Sequence, residues 1–193
     1  YEERRAAAYG KLGEEVVEQF DELSKAGLQT TFHRGDLNYL NSDAMRMDLF
    51  GNMNLNVFRG GDRHDFLNEI DPLTGLNTNE MFRAVHDAIG HGAERNTFGP
   101  VGEEKAFGVH SQTLSPLAQI ALASETRGQN SVVNYTPLNA EVKARVKRLQ
   151  REAEYASPEV KAEIDQEIRR IMDEELQYAP QNAVLLPPQY TDP

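Results

Sequence analysis

Asn77-Thr-Asn-Glu-Met-Phe-Arg-Ala-Val-His-Asp-Ala-Ile-Gly-His91 is the stretch that says most about the architecture of this chain. Asn77 supplies an N-cap, and Phe82 and Val85 follow at the spacing of an apolar helical face. Gly90 then provides a position where a regular turn can end or bulge, because glycine adopts backbone conformations that other residues avoid. The stretch therefore predicts a helix that loses its regular geometry near Gly90.

Further helices are predicted on both sides of this stretch. Apolar residues at helical spacing indicate one amphipathic helix over residues 1–26. Downstream, the pattern predicts a helix over residues 103–113 and another over residues 116–127. Gly128 can close the last of these, because glycine commonly follows the C-terminus of a helix.

Two short strands interrupt the helical pattern. Residues 28–33 and 55–58 have the composition of strands, so a small β-hairpin or sheet is expected near residues 28–60. The fold class is therefore predicted to be mainly α. Residues 1–138 are expected to form a helical core domain that carries the candidate site. Residues 139–193 are expected to add a charged helical hairpin and an extended Pro-rich tail packed on the core.

The composition disfavours several classes of function. The 193 residues include 31 acidic and 20 basic side chains, and the resulting net charge of -11 disfavours nucleic acid as a ligand. No cysteine is present, so disulfides, thiolate metal sites and cysteine nucleophiles are ruled out. No apolar run approaches the roughly 18 residues of a membrane span. Any metal ion must therefore be held by His, Asp and Glu.

Histidines are concentrated in the middle of the sequence. Three of the five lie between positions 86 and 110, and acidic side chains accompany them. The set consists of His86, His91, His110, Asp87, Glu103, Glu104 and Glu125. Imidazole and carboxylate ligands suit iron, manganese or zinc, and two histidines with one carboxylate form the facial set of non-haem Fe(II) enzymes. The clustering therefore predicts a divalent metal site.

Helical geometry decides whether the two histidines of the central stretch can bind one ion. Successive residues of a regular α-helix turn by about 100°, so His86 and His91 would point about 140° apart. They can share a metal ion only if the helix ends or bulges at Gly90. On a regular helix Asp87 and His91 would instead share a face, and they form the rival ligand pair.

Acidic side chains of the two following helices are expected beside apolar surface. Glu103, Phe107 and His110 share one helix face, so the carboxylate and the imidazole either pair with each other or meet a cation. Glu125 follows Ala121 by one turn, and an ionised carboxylate in such a place needs a partner. Glu103 and Glu125 are therefore both candidate residues of the predicted metal site.

His86-Asp-Ala-Ile-Gly-His91 resembles the His-Glu-x-x-Gly-His motif of the pterin-dependent aromatic amino-acid hydroxylases. In that family the two histidines hold iron together with a glutamate further along the chain. The resemblance implies that Glu125 is the third ligand. It is limited to this motif, in which Asp87 stands where the family has Glu, so it implies a shared ligand geometry and not a pterin cofactor or an aromatic substrate.

Further strings spread over most of the chain carry a second resemblance. They include Asn41-Ser-Asp-Ala-Met-Arg-Met-Asp48, Gly102-Glu-Glu-Lys-Ala106 and Glu125-Thr-Arg-Gly-Gln-Asn-Ser131. These strings resemble an uncharacterised domain of phage large polyvalent or virion-associated proteins. The resemblance implies assembly into, or delivery with, a phage particle. The expected location is then the virion or the host cytoplasm, with the C-terminal hairpin contacting other virion proteins.

The favoured prediction is a phage-encoded metal-dependent enzyme domain. Its predicted metal ligands are His86, His91 and Glu125, and its predicted acid/base or orienting residues are Asp87, Glu103 and His110. Fe(II) is favoured over Zn(II). Open positions on iron would support oxidation or hydroxylation, whereas zinc would support hydrolysis, and the sequence does not choose between these reactions.

Several alternatives stay open at this point. Arg127 is predicted to bind a cofactor or the carboxylate of a substrate through a bidentate contact, and a C-terminal helix cap is the competing interpretation. The competing function is a non-catalytic virion or interaction protein, in which the histidines and acids form a buried structural network. A metallopeptidase of the His-Glu-x-x-His kind is disfavoured, because that motif needs histidines four residues apart.

Overall fold

The computed structural model describes residues 1–35, 38–61, 63–180 and 183–191, apart from the side chain of Leu138. Within these ranges the chain forms seven α-helices and one two-stranded sheet, so the predicted mainly α class is confirmed. Among the described residues, no helix combines the length and the apolar character that crossing a bilayer requires.

The first helix, α1, spans Glu2–Lys25 and presents one apolar face to the core. Tyr9, Leu12 and Val16 are completely buried on this face, as their helical spacing predicts. The face packs mainly against α3 (Thr78–Val85) and α5 (Pro116–Tyr135). Helix α1 therefore forms one wall of the core and brings its side chains close to those of the later helices.

The small sheet lies beside this core and is parallel. Strand β1 (Gln29–His33) pairs with β2 (Asn54–Phe58), and α2 (Ser42–Asn52) connects them. Parallel strands need such a crossover, so the predicted strands form a sheet and not a hairpin. Asn41 caps α2, since its side chain accepts a hydrogen bond from the Ala44 amide.

Helix α3 begins as the sequence predicts and then changes its geometry. Asn77 and Glu80 form a capping box at its start. After Val85 the chain continues as a π-helical segment over His86–Ala93. Helix α4 (Pro100–Ser111) packs against this segment so closely that a Cβ on Gly90 would lie 3.0 Å from the Ala106 carbonyl oxygen. A glycine at this position therefore permits the contact.

Helix α5 is longer than predicted. It continues through Gly128 to Tyr135, so Gly128 does not end it. A glycine inside a helix costs only about 1 kcal/mol relative to alanine. The turns around Gly128 bury Thr126 and Asn130, and Asn130 donates a hydrogen bond to the Pro100 carbonyl oxygen. We infer that these tertiary contacts outweigh the cost of the glycine.

The C-terminal part forms the predicted helical hairpin. Helix α6 spans Pro137–Ala153, α7 spans Pro158–Glu174, and the two helices pack against each other. Asn139 is buried and exchanges two hydrogen bonds with the backbone of Gln177, at 2.7 and 2.9 Å. This exchange ties the start of α6 to the end of the hairpin.

The tail lies along the core where it is described. Ala183 is buried and its carbonyl oxygen accepts a hydrogen bond from Arg5, while the Leu186 amide donates to the Ser124 hydroxyl. The parts of the predicted tail at residues 181–182 and 192–193 lie outside the described residues.

Candidate metal site

The π-helical segment brings His86 and His91 together. In π-helical geometry each backbone hydrogen bond spans five residues, so side chains five positions apart come to the same side. The two rings meet edge to face with their centroids 5.2 Å apart. The helix thus departs from regular geometry around Gly90, as the metal hypothesis requires, and two imidazoles that a regular α-helix would separate become neighbours.

Glu103 completes a group of three potential ligands. Its Oε2 atom lies 3.3 Å from Nε2 of His91 and 4.0 Å from Nε2 of His86. One ligand atom from each of these three residues lies within 4.8 Å of the others. A group of two imidazoles and one carboxylate at this spacing can hold a metal ion, although the geometry does not distinguish one metal from another.

The start of α4 places Glu103 in this position. A Cβ on Gly102 would lie 2.0 Å from the Thr97 carbonyl oxygen, so only glycine allows the preceding loop to fold back onto the helix. Glu103 stands in the first turn of α4, where the helix dipole favours a carboxylate. The tight turn before α4 therefore directs a carboxylate toward the π-helical segment.

Hydrogen bonds identify the protonated nitrogen of His91. Its Nδ1 atom lies 3.3 Å from the carbonyl oxygen of Asn96, and the Asn96 side chain in turn donates to the Gly90 carbonyl at 2.8 Å. A carbonyl oxygen only accepts, so Nδ1 must carry a hydrogen. In the neutral ring Nε2 then carries a lone pair, which faces Glu103. Metal-binding histidines are commonly oriented by such a carbonyl contact.

His110 contacts the Nδ1 atom of His86, on the side of the ring opposite Glu103. This ring is completely buried, and its Nδ1 atom lies 3.2 Å from Nδ1 of His86. Burial, together with the nearby charge of a protonated His86, holds the pKa of His110 well below its usual range. His110 is therefore neutral at physiological pH and acts as a hydrogen-bond partner of His86.

The electrostatics of the group call for a cation or a proton between the carboxylate and the rings. Burial tends to raise the pKa of Glu103, but the interactions with His86 and His91 outweigh burial and lower the pKa to about 2. Burial likewise tends to lower the pKa of His91, but the interaction with Glu103 raises it overall. The carboxylate is thus ionised, and positive charge on the His91 ring is stabilised.

Asp87 interacts electrostatically with the three potential ligands without belonging to their group. It is partly buried, and burial raises the pKa of its carboxyl group, although the charges of His91 and His86 oppose that rise. Across the described parts of the chain, we find no hydrogen bond to this carboxylate. Asp87 is therefore coupled to both imidazoles while its oxygens are available to a further group.

Glu125, the predicted third ligand, is not part of the group formed by His86, His91 and Glu103. Its Oε1 atom accepts a hydrogen bond from the Tyr9 hydroxyl at 2.6 Å and lies 3.1 Å from Nε2 of His64. Nδ1 of His64 accepts from the amides of Phe66 and Leu67, so Nε2 carries the hydrogen and donates to Glu125. The carboxylate is thus committed to a network that joins α5 to α1, and the residue that converges with the two histidines is Glu103.

Arg127 packs several elements together. Its Nε atom donates to Glu104 at 3.0 Å, its Nη1 atom donates to the Tyr190 carbonyl oxygen at 2.7 Å, and its guanidinium lies 4.0 Å from the centre of the Phe107 ring. These contacts connect α5 with α4 and the C-terminal tail. The predicted binding of a cofactor or a substrate carboxylate by Arg127 stays a prediction.

Sequence reasoning missed the partners that orient the histidines. Asn96 and Gln19 are ordinary polar residues in the sequence, and His64 lies in an irregular segment without periodicity. The role of Glu103 did carry a signal, because Glu103 and His110 share a helix face. The structure brings both residues to His86, one on each side of its ring.

Comparisons with known proteins identify no relative of this chain. No protein-family model, no curated protein and no solved structure matches the chain. The function is therefore inferred from the chemistry of the site alone.

Proposed function

We propose that this chain is a metal-dependent enzyme domain that binds one divalent transition-metal ion through His86, His91 and Glu103. The observation that carries the proposal is the convergence of their three ligand atoms within 4.8 Å. Catalytic zinc sites commonly use three protein ligands, among them two histidines with one glutamate, and leave a coordination position open. The hydrogen bond from His91 to Asn96 supports the proposal, because it leaves the Nε2 lone pair directed at the site.

Hydrolysis is the reaction that the arrangement favours. A divalent ion at this place would lower the pKa of a bound water and polarise a carbonyl or phosphoryl oxygen of a substrate. Asp87 follows His86 directly and is coupled to both imidazoles, so its carboxylate is suited to accept a proton from the attacking water. Glu103 and the two rings would hold the ion, and Asp87 would move the proton.

The π-helical segment also weakens the argument against a hydrolase of the His-Glu-x-x-His kind. In the His-Glu-x-x-His motif the two histidines lie four residues apart on an α-helix, with an acidic residue after the first. Here they are five residues apart, and the wider helical turn over His86–Ala93 accommodates the additional residue. Asp87 then occupies the place of the acidic residue. The spacing is thus compatible with the same division of roles.

Oxidation at Fe(II), the assignment that the sequence favours, is the second candidate. Two histidines and one carboxylate are also the ligand set of non-haem Fe(II) oxygenases, and the group of His86, His91 and Glu103 has this composition. The identity of the ion therefore separates the two candidates. Zinc would support hydrolysis, and iron would support oxidation.

The proposal also includes a phage role, which only the sequence resemblance to phage proteins supports. We propose a role in the virion or in the host cytoplasm, with α6 and α7 available to contact other virion proteins. The charged surface of this hairpin, which includes the pair Arg170 and Glu167 at 2.7 Å, is compatible with such contacts. A metal-free protein whose histidines serve only packing would support the non-catalytic alternative.

Cobalt substitution tests whether the site is open. We expect the purified chain to bind about one Co(II) ion and to give the visible absorption of a low-coordinate site. Acetohydroxamate, which binds open positions on a metal, should shift this spectrum. Absence of cobalt binding would contradict the metal site, and a spectrum insensitive to acetohydroxamate would indicate a closed structural site.

The hydrolytic assignment is tested with Asp87→Asn. We expect the zinc-loaded chain to hydrolyse 4-nitrophenyl acetate faster than the metal-free chain. The Asp87→Asn variant should keep its zinc and lose about 100-fold in rate, the lower range for a general base. Equal rates of the loaded and metal-free chains would count against hydrolysis, and iron recovered from cells would then favour oxidation.

A further inference from the structure

A chain of hydrogen bonds runs from the surface of the core to the buried face of His86. Nδ1 of His86 lies 3.2 Å from Nδ1 of His110, and Nε2 of His110 lies 3.1 Å from Oε1 of Gln19. The amide nitrogen of Gln19 lies 2.8 Å from the hydroxyl of Thr113. Gln19 comes from α1, whereas the other three residues belong to the π-helical segment, α4 and the turn after α4.

The far end of this chain fixes the orientation of the Gln19 amide. The Thr113 hydroxyl donates its hydrogen to the His110 carbonyl oxygen at 2.7 Å, so its oxygen is left to accept from Gln19. The Thr113 carbonyl oxygen also accepts from the same amide nitrogen, at 3.4 Å. The NH2 group of Gln19 therefore points to Thr113, and its carbonyl oxygen points to His110.

This orientation determines the position of every hydrogen up to His86. An amide oxygen only accepts, so Nε2 of His110 must donate to Gln19. A neutral imidazole carries a single N–H group, so Nδ1 of His110 accepts the hydrogen of Nδ1 of His86. In the neutral form of His86 the lone pair is consequently on Nε2, the nitrogen that faces Glu103 at 4.0 Å.

We infer that Gln19 is a positioning residue for the metal site, acting through His110 to hold His86 in the tautomer whose Nε2 can bind a metal ion. The inference rests on the proposed metal site, but the tautomer itself exists with or without a metal. With no acceptor at position 19, His110 is free to carry its hydrogen on Nδ1. It would then donate to Nδ1 of His86 and move the hydrogen of that ring to Nε2, where it blocks a metal ion.

Three substitutions separate the hydrogen-bonding role of Gln19 from its packing. Gln19→Glu keeps a hydrogen-bond acceptor, and Gln19→Lys offers only donors. Gln19→Leu removes both the donor and the acceptor but keeps a side chain of similar size. The matched control is Gln119→Leu, because Gln119 is also partly buried but donates to the carbonyl oxygens of Ser111 and Leu114. If Gln19 acts through the tautomer, zinc affinity should depend on whether residue 19 offers a hydrogen-bond acceptor to His110. It should not depend on the volume of the side chain.

The experiment combines a zinc titration against a chromogenic competitor with nitrogen-15 NMR of the histidine rings in the metal-free chain. We expect Gln19→Leu to lose about 10- to 100-fold in zinc affinity, as is usual for partners that orient a metal ligand. Gln19→Lys should lose at least as much, while Gln19→Glu and Gln119→Leu should remain close to wild type. In the NMR spectra, His86 should carry its hydrogen on Nδ1 in the wild type and on Nε2 in Gln19→Lys.

Two results would overturn the inference. One is a wild-type His86 ring protonated on Nε2, and the other is a zinc affinity of Gln19→Leu equal to that of Gln119→Leu. Failure of the proposed function has a different signature, because the wild type would then bind no zinc while the NMR spectra still report the tautomer. Circular dichroism of each variant shows whether it remains folded.

Discussion

His91 faces Glu103 at 3.3 Å and His64 faces Glu125 at 3.1 Å, yet the two buried pairs differ in which ring nitrogen carries the hydrogen. In His64 the nitrogen nearest the carboxylate is the donor, because the other nitrogen accepts two backbone amides. In His91 the other nitrogen donates to the Asn96 carbonyl, so the neutral ring presents a lone pair to the carboxylate.

The difference shows that proximity of histidine and glutamate does not by itself indicate a metal site. The network of Tyr9, His64 and Glu125 satisfies its own hydrogen bonds and needs no further ligand. The group of His86, His91 and Glu103 brings a carboxylate to two nitrogens that are unprotonated in the neutral rings, which is unfavourable unless a proton or a metal ion lies between them. The hydrogen bonds behind each ring therefore distinguish the two clusters.

The largest expected effect comes from replacing each of the two glutamates, Glu103 and Glu125, with alanine in separate variants. We expect Glu103→Ala to reduce zinc uptake from about one ion per chain to background, because only two protein ligands remain of the three usual in catalytic sites. Glu125→Ala should retain full uptake while it remains folded. Isothermal titration with zinc, with folding checked by circular dichroism, measures both variants. Uptake that survives in Glu103→Ala and disappears in Glu125→Ala would restore the ligand set predicted from the sequence.

A smaller effect on stability is expected from Tyr9→Phe. This variant removes the hydroxyl that donates to Glu125 at 2.6 Å in a buried setting. Hydrogen bonds to charged groups contribute about 1.5–3 kcal/mol, so the free energy of unfolding should fall by about that amount. Urea denaturation measures the change, and zinc affinity should stay at the wild-type value. A large loss of zinc affinity would mean that the two clusters are coupled.

Gly90→Ala should affect the metal cluster more than the Tyr9 network. The added Cβ would lie 3.0 Å from the Ala106 carbonyl oxygen and 3.2 Å from Cε1 of His86, so α4 or the His86 ring must shift. Overpacking of this kind costs about 1–3 kcal/mol, and we expect the lower end because only one methyl group is added. Zinc titration should show weaker binding, whereas Gly108→Ala, on a part of α4 with open space around it, should leave binding unchanged.

The sequence allowed more of the fold than of the site to be predicted. The mainly α class, the small sheet and the C-terminal hairpin follow from periodicities that depend on local burial. The irregular turn at Gly90 could also be predicted from the sequence as a requirement of the metal hypothesis, because a regular helix would separate His86 from His91. The third member of the cluster was not predicted, because distance along the chain and family resemblance favoured Glu125. Glu103 reaches the histidines through the packing of α4 on the π-helical segment, which no local pattern specifies.

The smallest expected effect is a pH dependence confined to the metal-free form. The folded-state pKa of His91 is raised above its ordinary value, so His91 contributes stability that is fully present below pH of about 6.5 and is lost as the pH rises through the raised pKa. The lowered pKa of His110 has the opposite effect near and below pH 6.5, so the metal-free chain should become less stable from about pH 7 to pH 8, by at most about 1.4 kcal/mol per pH unit. Urea denaturation at several pH values measures this change.

Two controls accompany the pH series. His91→Gln should remove most of the slope, because the titrating ring is absent. Saturating zinc should reverse the slope in the wild type, since the metal binds the deprotonated rings and competes with protons. A stability of the metal-free wild type that rises with pH over this range would contradict the electrostatic description of the cluster.

Elemental analysis of the chain purified from cells tests the central claim most directly. The wild type should contain close to one equivalent of a divalent transition metal, and folded His86→Ala and His91→Ala should each lose it. A wild type that folds stably without metal, or a metal content unchanged in both variants, would contradict the claim that these two histidines and Glu103 form a metal site.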